Sequence, residues 1–184
     1  MSTAFENNFF NATYYLQNNT DVVSAISLGK FSSALQHFEL YGRYENRSPN
    51  ASWNATQYMI DNPDVASAVG ARSIQSAWDH FVTFGINENR ASGAFTGTFN
   101  AAAYLAANAD VQAAVDGGVF TSAYEHFMLF GSGEGRAATT TDGTAIALTP
   151  GSTFTLTTGV DAGTLFTGGS GNDTLDGGRN DDRI

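Results

Sequence analysis

The chain of 184 residues carries 18 acidic residues against 8 basic ones, with only 14% charged residues and a formal net charge of −10. That balance argues against nucleic acid as a partner, because phosphate binding needs clustered Lys and Arg. The lack of cysteine excludes disulfide staples and thiolate metal sites. No apolar run approaches the roughly 18–20 residues that span a bilayer, so a soluble protein without membrane insertion is expected. Met1–Asn8 has neither the basic nor the apolar segment of a cleaved secretory signal.

Taken in chain order, the first 138 residues contain one pattern three times. Phe10-Asn11 with Tyr15, then Asn19-x-Asp21-Val22, then His37-Phe38-x-x-Tyr41-Gly42-x-x-Glu45-x-Arg47 make the first occurrence. Trp53-Asn54, Tyr58, Asn62-x-Asp64-Val65 and His80 to Arg90 make the second, and Phe99-Asn100, Tyr104, Asn108-x-Asp110-Val111 and His126 to Arg136 the third. Periodicity on this scale marks repeat architectures. A mainly α fold is therefore expected over residues 4–138, as three helical units of about 43–46 residues at about 8–50, 51–93 and 94–138.

Within each unit Asn11, Asn54 and Asn100 stand where an N-cap belongs. The aromatic before each cap and the tyrosine within the following helix form a hydrophobic-staple pattern. The Asn-x-Asp-Val element is expected to interrupt the helix, with Pro63 suited only to a first turn. Ala34, His37, Phe38 and Tyr41, at i, i+3, i+4 and i+7, predict a second long helix with an apolar stripe. Gly42, Gly85 and Gly131 then read as left-handed C-caps.

Composition changes at Ala137, so a linker is expected at 139–143 and a β-segment over 144–184. Alternating runs on either side of Pro150-Gly151 predict a hairpin, and Thr164–Thr167 a further strand. The chain then runs through Gly168-Gly-Ser-Gly-Asn-Asp173-Thr-Leu175-Asp and Gly177-Gly-Arg-Asn-Asp-Asp182-Arg-Ile184, one nonapeptide and eight residues of a second. Glycine turns aim carbonyls at a hard cation and the aspartates add carboxylates. Partial Ca²⁺ sites are therefore expected at Gly169, Gly171, Asp173, Gly178 and Asp182, with Leu175 and Ile184 pointing into a narrow β-helix. A chain that stops inside its second nonapeptide reads as a fragment.

The three histidines, His37, His80 and His126, share one position. Equivalent residues of packed helices lie about 10 Å apart, whereas zinc needs its ligands at about 2 Å from one centre. A hydrogen-bonded packing role is therefore expected. Arg47, Arg90 and Arg136 are read as staples to a helix end or to a carboxylate of the next unit, such as Asp64 or Asp110, and as minor candidates for sugar or phosphate binding. Tyr14, Tyr44, Trp53 and Trp78 are the candidates for stacking on sugar rings. No nucleophile–base pair, HExxH or phosphate loop occurs, so catalysis is not expected.

The Gly168–Ile184 stretch resembles the RTX (repeats-in-toxin) proteins that bacteria export by type I secretion. The Gly151–Asp161 lead-in resembles RTX surface-layer proteins. The Tyr-Leu-x-x-Asn-x-Asp-Val and His-Phe-x-x-Phe-Gly-x-x-Glu-x-Arg signatures resemble repeats found near such secreted proteins. The resemblance implies Ca²⁺-dependent folding outside the cell, a secreted, cell-surface location, and an N-terminal module anchored to lipopolysaccharide O-polysaccharide or to neighbouring subunits. Two other roles stay open: a targeting or spacer domain of an RTX protease or polysaccharide lyase, and an adhesin-type docking module.

Overall fold

The computed structural model describes residues 3–148. The hairpin around Pro150-Gly151, the strand at Thr164–Thr167 and all five calcium candidates, Gly169, Gly171, Asp173, Gly178 and Asp182, lie outside the described residues. Within them the fold is mainly helical, with ten short α-helices and one two-stranded sheet. Among the described residues no helix is long and apolar enough to cross a membrane.

A short N-terminal helix, α1 (Thr3–Phe9), precedes the first sequence unit. Its Phe5 and Phe9, one turn apart, stack on each other at 5.1 Å. This i, i+4 pair was visible in the sequence and is the signal from which the helix could have been expected.

Each unit then has the same order: two short helices, a loop, and a third helix that passes into a π-helical turn. In the first unit these are α2 (Ala12–Asn18), α3 (Thr20–Ser27), α4 (Ala34–His37) and the π turn Phe38–Gly42. The second has α5 (Ala55–Asp61), α6 (Pro63–Gly70), α7 (Ala77–His80) and the turn Phe81–Gly85. The third has α8 (Ala101–Ala107), α9 (Ala109–Asp116), α10 (Ala123–His126) and the turn Phe127–Gly131.

Local chemistry explains the boundaries. Asn11, Asn54 and Asn100 accept from the backbone N–H of Tyr14, Gln57 and Ala103 at 2.8, 2.9 and 3.0 Å, closing the first turn of α2, α5 and α8. Asn19, Asn62 and Asn108 end those helices and begin the next, a one-residue break with φ near −130° to −140°. Ser33, Ser76 and Ser122 cap α4, α7 and α10.

The expected long second helix is not regular. From Phe38, Phe81 and Phe127 onward the backbone widens, and Arg43, Ile86 and Ser132 donate to the phenylalanine carbonyl five residues back at 3.0 Å. Gly42, Gly85 and Gly131 are accordingly not left-handed caps. They close the π turn and are buried. The left-handed positions that recur in the units are Gly29, Arg72 and Gly118 in the loops after α3, α6 and α9, and Asn46, Asn89 and Gly135 after the π turns; Gly93, Gly97 and Gly143 are further ones.

The core is aromatic. Trp78 lies at 5.7, 5.5 and 5.1 Å from the rings of Phe9, Phe38 and Trp53, and its indole N–H donates to Glu6. Tyr124, its equivalent in the third unit, meets Phe81 at 6.3 Å and stacks on Phe99 at 4.7 Å. Rings of two units therefore share each junction, where burial of large aromatic surface supplies most of the driving force.

The expected linker is instead half of a hairpin. Strand β1 (Ala138–Thr139) pairs antiparallel with β2 (Ala145–Ile146), Ala138 opposite Ile146. Asn100 donates to the Thr139 carbonyl and Thr141 to that of Thr98, at 2.9 and 2.8 Å. Ala138, Ile146 and Leu148 join the core, so residues 138–148 are continuous with the helical region.

Candidate functional site

The described part of the chain brings together one polar cluster per unit, and each is built the same way. Asn19, at the break between α2 and α3, donates its side-chain amide to the Tyr15 carbonyl at 2.6 Å and accepts from Arg47 at 2.8 Å. Arg47 grips Asp21 with both terminal nitrogens at 2.8 Å and donates Nε–H to Glu45 at 2.7 Å. Arg90 does the same with Asn62, Asp64 and Glu88, and Arg136 with Asn108, Asp110 and Glu134.

The arginines are staples, but to a carboxylate of their own unit, 26 residues back, and not of the next unit. Arg43 and Arg47, Arg90 and Arg136 are thus engaged in ion pairs, leaving Lys30 and Arg72 as the cations without one among the described residues. The forked Arg–carboxylate bond holds Asp21 down to about 2, and Asp64 and Asp110 also lie below the usual carboxylate range.

Beside each staple lies a tyrosine–histidine pair. The hydroxyls of Tyr15, Tyr58 and Tyr104 are hydrogen-bonded to Nδ1 of His37, His80 and His126 at 2.9, 2.8 and 3.0 Å. The pairs tie the first helix of each unit to the third. Each hydroxyl sits over Gly42, Gly85 or Gly131, where a Cβ would collide with it. Burial keeps the imidazoles below their ordinary 6.5 and raises the tyrosines, Tyr104 to about 12. The histidines thus have the hydrogen-bonded packing role expected of them.

Two sugar-stacking candidates fail on burial: Trp53 is 1% exposed and Trp78 0%. Trp78 is committed to the junction with the first unit, and Trp53 packs inside its own unit against Tyr58, Trp78 and Phe81, roles that sequence position alone did not reveal. Tyr14 is half-buried on α2. Tyr44 is exposed, lies 5.0 Å under the Arg43 guanidinium and is hydrogen-bonded to Arg43 and Gln75.

Sequence reasoning placed Tyr41 wrongly, as part of an apolar stripe. Tyr41 and its equivalents Phe84 and Phe130 are 50%, 49% and 43% exposed. The π turn carries each ring outward beside its histidine, at 5.9, 5.5 and 6.1 Å. Phe31 and Phe120 meet His37 and His126 edge-on at 4.8 and 4.9 Å and lie beside Tyr41 and Phe130 at 5.6 and 5.8 Å. Their recurrence one residue before each glycine was visible in the sequence; their exposure was not. Among the described residues no group of three His, Asp or Glu is placed to hold a metal ion.

No protein-family model matches this chain, and neither a curated protein nor a solved structure does.

Proposed function

We propose that this chain is a non-catalytic cell-surface docking module, built from three copies of one helical repeat. In this reading it belongs to a secreted, calcium-dependent protein of the RTX surface-layer kind. The observation that carries the docking role is the half-exposed ring presented at one place in every unit by Tyr41, Phe84 and Phe130. A rigid scaffold with rings at fixed intervals suits a repetitive ligand, because each ring offers an apolar face for a sugar ring at little entropic cost.

The polar groups around these rings favour a non-catalytic role. Each imidazole is bonded to a tyrosine and each of Arg47, Arg90 and Arg136 to two carboxylates, so none is poised as a base or an anion clamp. The ligand in this reading is the O-polysaccharide of lipopolysaccharide, with neighbouring subunits as the alternative surface. Asp173 and Asp182, with the carbonyls near Gly169, Gly171 and Gly178, supply hard oxygen donors of the kind Ca²⁺ takes.

The deciding experiment is capture of the chain on purified lipopolysaccharide with calcium and with chelator. The triple variant Tyr41→Ala, Phe84→Ala, Phe130→Ala is run alongside. Binding by the parent and loss in the variant is expected; no binding by the parent in either condition refutes the anchor reading.

A further inference from the structure

Acid sensitivity is built into the three tyrosine–histidine pairs. In the described structure the only hydrogen bond of each of the Tyr15, Tyr58 and Tyr104 hydroxyls is the one to its imidazole. A neutral imidazole with its hydrogen on Nε2 accepts the phenolic hydrogen at Nδ1, and the pair is satisfied. An imidazolium carries hydrogen on both nitrogens. Nδ1–H must then donate to the tyrosine oxygen, and the phenolic hydrogen loses the acceptor it had. Above it lies a glycine with no side chain to offer another.

The charged surroundings do not compensate. His37 faces Arg47, Glu45 and Asp21, with Tyr15 and Tyr41 the titratable neighbours; His80 faces Arg90, Glu88 and Asp64, with Tyr58. His126 faces Glu134, Arg136 and Asp110, with Tyr104. These carboxylates are already bound by arginine, and among the described residues no ion pair joins any of them to a histidine. A second positive charge would arise next to a guanidinium, in a site closed by aromatic rings.

We propose that the three pairs act as one acid-operated latch, taking up protons together and releasing the π turns that carry Tyr41, Phe84 and Phe130. The latch requires only the pairs, whatever the rings bind. Its sign follows from the neutral form that the fold prefers. The imidazoles titrate below 6.5 in the folded chain and at about 6.5 when unfolded, so below pH 6.5 the unfolded chain binds protons that the folded chain does not. Stability is full above that value and falls as pH drops through the window beneath it. Asp21, Asp64 and Asp110 act in the same direction but only near and below their ordinary 3.8, so the two windows separate.

The test uses the whole 184-residue chain. Urea unfolding measured between about pH 6.5 and 5 is expected to give an unfolding constant that rises up to about tenfold per pH unit for each histidine, and so up to about a thousandfold for three. His80→Gln is expected to lower the proton uptake by one. Nuclear magnetic resonance of the imidazoles in the unsubstituted chain provides a readout that does not depend on the variant folding. All three rings are expected to stay neutral below pH 6.5 and to protonate together as the turn amides lose protection. Rings that protonate at or above 6.5 with the fold intact, or an uptake unchanged in a folded His80→Gln chain, would overturn the latch.

Discussion

Gly85→Ala tests the seat of the tyrosine hydroxyl most directly. An alanine Cβ at this position would collide with the Tyr58 hydroxyl and stand 3.2 Å from Phe81 Cδ2 and 3.3 Å from Tyr58 Cζ. Tyr58 and Phe81 are fully buried, with no free direction in which to yield. Overpacking of this kind costs about 1–3 kcal/mol. Displacing the hydroxyl also forfeits its bond to His80, about 1 kcal/mol net. Against this, alanine gains about 1 kcal/mol of helix propensity.

The balance is a loss of about 1–3 kcal/mol, or a Tm lowered by about 2–10 °C for a chain of this size. Gly70→Ala is the internal control. Gly70 ends α6 with nothing within 4 Å of the new Cβ, so that change should stabilise by about 0.4–1 kcal/mol. Urea titrations of both variants, together with Tyr58→Phe and the Tyr58→Phe/Gly85→Ala double variant, complete the set. The double variant should be more stable than the sum of the singles implies, because removing the hydroxyl removes the collision. If Gly85→Ala stabilises as Gly70→Ala does, the hydroxyl does not rest on this glycine and the reasoning fails.

Arg72 holds φ 59 where the corresponding loops have Gly29 and Gly118, so Arg72→Gly should stabilise by about 1 kcal/mol in thermal unfolding. Arg90→Met should cost about 1–2 kcal/mol, chiefly by leaving the buried Asn62 amide oxygen without its donor; an unchanged urea midpoint would show that the staple is inert. In alkali the sign reverses relative to the acid latch. Tyr15, Tyr58 and Tyr104 ionise above their ordinary 10 in the folded chain, so stability should fall as pH rises past 10, with their phenolate absorbance appearing only on unfolding. Calorimetric calcium titration should give weak binding that disappears in an Asp173→Asn, Asp182→Asn variant, and unchanged heats would remove those carboxylates as ligands.

Several local features were legible because their causes are local. Asn11 before an Ala-Thr-Tyr run accepts from the first-turn amides wherever the helix later packs, and Pro63 admits only one place in a helix. The histidine role was also accessible, since identical spacing placed His37, His80 and His126 on equivalent faces. The glycines were misread because Gly42, Gly85 and Gly131 follow an apparent helix in the way a C-cap does. Only the opposing tyrosine hydroxyl, 27 residues earlier in each unit, reveals that the site demands missing volume and not a left-handed backbone. The arginine partner was placed in the wrong unit for a related reason: charge sign names a carboxylate but not which one the chain brings near.

Sequence alone was enough for a mainly helical region over 4–138, for helix starts after Asn11, Asn54 and Asn100, and for the residues that recur at equivalent positions, since capping, proline geometry and spacing act over a few bonds. Tertiary structure alone decided which aromatics are inside and which outside. Trp78 is sealed because two units meet on it, Trp53 because Trp78 and Phe81 close over it, and Tyr41, Phe84 and Phe130 are left in solvent because a π turn carries them past the face they would occupy in a regular helix. Both outcomes depend on where a second element lies in space, and helical periodicity within one segment carries no information about that.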